Sequence, residues 1–133
     1  MKIRIAEFVA WVSLTAGGTP LFAHQSFAAE FDAAQRVTLT GVVTKVEWTN
    51  PHVWFWVNVK DEKTGQVTNW GLEMGSPNAL QRDGGWTPNT MKVGMIVTVN
   101  ASRAKDGSNK ANTSAVIVDG KKLGGASSQG PAQ

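Results

Sequence analysis

The stretch "HVWFWVNVK", His52–Lys60, decides the fold. Val53, Phe55, Val57 and Val59 fall on one side of it, and His52, Trp54, Trp56 and Asn58 on the other. A period of two is the signature of a β-strand with one face in a core. Upstream, "RVTLTGVVTKVEW" (Arg36–Trp48) is rich in β-branched residues and sets Val37, Leu39, Gly41 and Val43 on one face. Gly41 in mid-strand predicts a bulge or a tight bend. "TNP" separates these two strands, and "DEKTG" turns the chain into a third, "QVTNWGLEM". Ser76 then suits an N-cap and Pro77 a first helical position, with Gly84 or Gly85 as the stop. "MKVGMIVTVNASRA" and "ANTSAVIVD" give a fourth and a fifth strand around the turn "KDGSNK".

A small antiparallel sheet leaves unpaired edges unless it closes. The expected fold is therefore all-β: a small five-stranded OB-like barrel with one short helix between the third and fourth strands. The alternative is an open β-sandwich with one helix. The expected layout is a signal peptide over 1–23, an N-terminal arm over 24–35, the barrel over 36–120 and a flexible tail over 121–133. Phe27 and Phe31, four apart in the arm, suit one helical turn laid on the barrel.

The first residues carry the parts of an export signal. Lys2 and Arg4 form a basic tip, an apolar run follows from Ile5, and "GGTPLFA" ends it. The run is shorter than the roughly 20 residues a membrane span needs, so the expected product is a periplasmic protein with no stable membrane insertion. Cleavage after Ala23 makes His24 the first residue, and cleavage after Ala28 removes it. The first choice leaves eleven basic and nine acidic residues, a formal charge of +2. That balance lacks the basic excess of a polyanion binder, and no nucleic-acid partner is expected from it. Cysteine is absent, so the core alone must hold the fold.

"AHQSFAAEFD", "VTKVEWTNPHVWF", "NWGLEMGSPNAL" and "GWTPNTMKVGMIVTV" together resemble a family of small exported bacterial proteins of unknown function. The likeness runs from about Ala23 to Leu123. It implies a periplasmic β-barrel and brings no known activity. Where that family has a second histidine in A-H-H-S-F, this chain has Gln25.

Two sites compete. A mature chain beginning at His24 offers an α-amine and an imidazole to one metal, and His52 adds a third nitrogen. Such nitrogen-rich geometry suits copper(II), and Met74, Met91 and Met95 offer a soft axial ligand for copper(I). The bland reading makes His24 a frayed end and His52 a turn residue. The rival site is aromatic: Trp48, Trp54, Trp56 and Trp70 as a surface for a carbohydrate or a periplasmic protein partner. Its bland reading is packing, with Phe27 and Phe31 lying over Trp54 and Trp56. Glu47 and Glu73 lie near strand ends, but nothing in the sequence fixes their separation. No nucleophile elbow, zinc-protease or phosphate-loop motif is present, and no enzymatic activity is expected. The expected function is a periplasmic, non-catalytic binding or accessory module.

Overall fold

The computed structural model describes residues 27–127. Strand β1 runs Phe31–Glu47, β2 Trp54–Lys60, β3 Val67–Glu73, β4 Ile96–Ala104, β5 Lys110–Val118 and β6 Lys121–Gly124; helix α1 spans Pro77–Gly84 between β3 and β4. The sheet order is β3-β2-β1-β4-β5-β6, and β3 also pairs with β5. That parallel pairing, Gly71 to Lys110 through Glu73 to Asn112, closes the first five strands into an OB-like barrel. Closure rules out the open sandwich.

The alternation in β2 holds. Val53, Phe55 and Val57 are fully buried, together with Val43, Leu72, Val97, Val99 and Val116. β1 serves two neighbours: Arg36–Val42 pair with β4, and Val42–Glu47 pair with β2. The β1–β2 bulge falls between Val43 and Lys45. Gly41, where the bulge was expected, has a different reason to be small. A Cβ there would lie 2.3 Å from the Asn58 carbonyl oxygen, so any side chain would push β2 off β1.

Helix α1 starts as the sequence suggests. The Ser76 hydroxyl accepts a hydrogen bond from the Ala79 amide at 3.2 Å, Pro77 opens the first turn and Gly85 caps the end. Replacing Ser76 with Ala should cost about 1 kcal/mol in denaturant unfolding. An unchanged midpoint would mean that the cap contributes nothing. Leu80 is the residue of this helix that enters the core.

Two boundaries differ from expectation. β1 begins at Phe31, within the stretch expected to be an arm; only residues 27–30 form a helical turn. There Phe27 packs on Phe31, ring centroids 5.6 Å apart, and both bury with Ala104 of β4. The start of the expected tail is also ordered: β6 pairs with β5 from Val118–Lys121 to Ala115–Gly124. Beyond it, the Gly125 amide donates to the Ser114 carbonyl, and the Gly75 amide donates to the Gly125 carbonyl at 2.8 Å. The indole of Trp86, 2% exposed, donates to the Gly124 carbonyl at 2.8 Å. Residues 121–127 therefore cover the barrel end beside α1.

Candidate functional site

The β1–β2–β3 register sets one outward patch. Trp54 stands between Glu47 of β1 and Glu73 of β3; Trp56 stands between Lys45 and Gly71; Asn58 faces Asn69. Trp54 and Trp56 are stacked, centroids 6.2 Å apart and planes 27° from parallel. Both rings are partly exposed. Gly71 makes this arrangement possible, because a Cβ there would sit 3.0 Å from Trp56 Nε1. The ring lies across β3 where a side chain is missing.

Polar groups fix the patch. Lys45 Nζ lies 4.8 Å from the Trp56 ring centroid and 2.7 Å from Glu47 Oε1, so the cation is held against the indole by the carboxylate. Asn69 Nδ2 donates to Asn58 Oδ1 at 2.9 Å and to Thr44 Oγ1 at 3.2 Å. A hollow of about 330 Å³ opens here, walled by Glu47, Trp54, Trp56, Asn69, Asn109 and Lys110. A second hollow, about 520 Å³, also has Trp54 in its wall and lies between the 27–30 turn and the β4–β5 turn; Glu30, Phe31, Asp106, Ser108 and Lys110 line it. The Lys105 ammonium on its wall donates to the Ala28 carbonyl.

The other expected site residues fare differently. Trp70 does not join the surface. It pairs with Val57 on the inward side of β3 and is 8% exposed, with the Arg103 guanidinium 5.1 Å from its ring centroid. Trp48, just past β1, packs against the core and is half-buried. Met74 and Met91 are core residues, at 2% and 4% exposure, and the Met95 sulfur accepts from the Lys92 amide. This removes the first two as metal ligands, since their sulfurs lie in the apolar interior. His24 lies outside the described residues.

His52 has a polar neighbour that the sequence did not reveal. Its Nδ1 is 3.6 Å from Glu73 Oε2, and Glu73 Oε1 accepts from Asn112 Nδ2 at 3.0 Å. Asn112 Oδ1 in turn accepts from the Ser127 hydroxyl at 2.6 Å. Among the described residues no group of three or more His, Asp or Glu side chains is placed to hold a metal ion.

Burial pushes the Glu73 carboxyl above its ordinary value, and His52 and Asn112 offset this only in part. A raised native value means that the folded protein binds the proton more tightly than the unfolded chain. This contribution to stability is complete below the unfolded value, about 4.3, and is lost as pH rises through the folded value. Thermal melts should therefore show the native protein losing stability relative to Glu73→Gln as pH rises above about 4.3. Parallel pH profiles for both proteins would contradict the assignment.

The match to a family model settles kinship, since it spans residues 11–113 of the chain. The chain belongs to the family of unknown function DUF6152. No curated protein matches it. Among solved structures, a crystal structure of the mitochondrial single-stranded DNA binding protein Rim1 from S. cerevisiae is similar to the DUF6152 chain. It is 12% identical, covers 67% of this chain and 94% of its own, and has a TM-score of 0.47. A selenomethionine-labelled crystal of Rim1 aligns at 14% identity, over 64% and 93%, with a TM-score of 0.43. These neighbours are named for binding single-stranded DNA. The exclusion of nucleic acid drawn from formal charge is withdrawn. Charge was too coarse a criterion, because bases also stack on aromatic rings. At these identities and TM-scores the likeness assigns this chain no ligand. Nothing in these comparisons points to catalysis.

Proposed function

We propose that this DUF6152 protein is an exported, non-catalytic binding module whose ligand docks on the outward face of β2 at Trp54 and Trp56. The carrying observation is the stacked, partly exposed indole pair beside a hollow rimmed by carboxamide, carboxylate and ammonium groups. Recognition sites commonly combine flat apolar surface with a few fixed polar groups. Packing alone accounts for this pair less well, because the core lies on the other side of β2. Affinity electrophoresis through gels containing a soluble polysaccharide tests the reading. The native protein should be retarded, and the Trp54→Ala, Trp56→Ala double variant should run free while keeping its melting transition. Equal retardation of both proteins would remove the face from the function.

A second reading keeps the copper site at His24 and His52. One observation favours it: Glu30, six residues after His24, lines the same hollow as Trp54, two residues from His52. Six residues reach roughly 20 Å when extended. Calorimetric copper(II) titration of protein with a verified His24 N-terminus, beside a Met-extended form, is the test. Equal affinity in both forms leaves the terminal amine without a role.

A further inference from the structure

The two hollows share two walls, Trp54 and Lys110. Each has the size of a small-molecule site, roughly 300–1,000 Å³. A ligand that fills either one meets Trp54, and one long enough to span both passes over it. The pair therefore suits a chain of repeating units better than a single compact molecule.

The lining chemistry narrows the class. The first hollow offers indole faces with Glu47, Asn69 and Lys110. The second offers the Trp54 ring with Glu30, Lys105, Asp106 and Lys110. Both hollows carry acidic and basic groups, so neither favours a strongly charged unit. The carboxylates need donors, the ammonium needs an acceptor, and the rings need a flat apolar face. A pyranose provides all three, since its hydroxyls both donate and accept while its C–H face stacks on an aromatic ring.

We infer that the two hollows are adjoining subsites for one linear, uncharged oligosaccharide, with Trp54 shared between successive sugar rings. This inference rests on the aromatic-face reading and goes beyond it in ligand class and length.

Calorimetric titration of the mature protein tests it, using N-acetylglucosamine and its linear β-linked oligomers up to the hexamer. Affinity should rise with chain length and level off once both hollows are filled. Trp56→Ala should weaken every length by about 5- to 150-fold, the loss of one stacking platform, yet keep the rise with length. Trp54→Ala should abolish the rise, and Trp54→Phe should restore most of it. Melting curves on each variant check that the fold is intact. Equal affinity from monomer to hexamer overturns the inference, as does identical behaviour of the Trp54 and Trp56 variants or no binding at any length. An oligothymidylate probe separates the two levels. If it binds at Trp54 and Trp56 while no sugar does, the sugar assignment fails and the aromatic face stands. If sugar binds the double variant as tightly as the native protein, both fail.

Discussion

Replacing Phe55 with Ala is expected to cost about 3–5 kcal/mol in denaturant unfolding. Phe55 is fully buried, and it pairs with Val46 of β1 and Leu72 of β3 at the centre of the closed barrel. Truncation removes its transfer free energy and leaves a cavity that neighbours on three strands cannot fill without breaking their ladders. Trp54 and Trp56, one position away on either side, supply the contrast. Each is larger than Phe55 but partly exposed, so Ala at either should cost less than Ala at Phe55. An equal loss at all three positions would mean that both faces of β2 are core, and the outward patch would lose its claim to be a binding surface.

A chain ending at Gly120 should be destabilised by about 2–6 kcal/mol, from the loss of two buried donors' partners at about 1–3 kcal/mol each. The two donors are Trp86 Nε1, which loses the Gly124 carbonyl, and the buried Gly75 amide, which loses the Gly125 carbonyl. Water reaching the uncovered groups keeps the cost within that range, while lost contacts of Leu123 and Ala126 with the core add to it. The Glu73–Asn112 pair also loses its Ser127 hydroxyl. Thermal unfolding of the truncated protein checks this. A melting temperature equal to that of the full chain would show that 121–127 is a passive appendage.

Much of the barrel was legible because its signals are local. The alternation in His52–Lys60, the β-branched run before it and the Ser76-Pro77 helix start each depend on a few neighbouring residues. What escaped depends on partners far along the chain. Gly41 reads as a bulge until the Asn58 carbonyl is found against it. "KKLG" looks like tail because four residues carry no periodicity, and only the β5 edge makes them a strand. Trp70 shows the limit most clearly. Its residue type matches that of Trp54 and Trp56, but its pairing with Val57 turns it inward. A register shift of one residue would have brought it out beside them. Gly71, which the same register places under Trp56, is as much a part of the site as the indoles, and only the pairing reveals it.

The most direct test of the central claim is a heteronuclear NMR titration of the mature protein with linear N-acetylglucosamine hexamer, reading the indole N–H signals. The tryptophans report from different places: Trp54 and Trp56 from the outward face, Trp70 and Trp86 from the core. The Trp54 and Trp56 signals should shift in a saturable way while those of Trp70 and Trp86 stay in place. Saturable binding that leaves the Trp54 and Trp56 signals unmoved would contradict the claim.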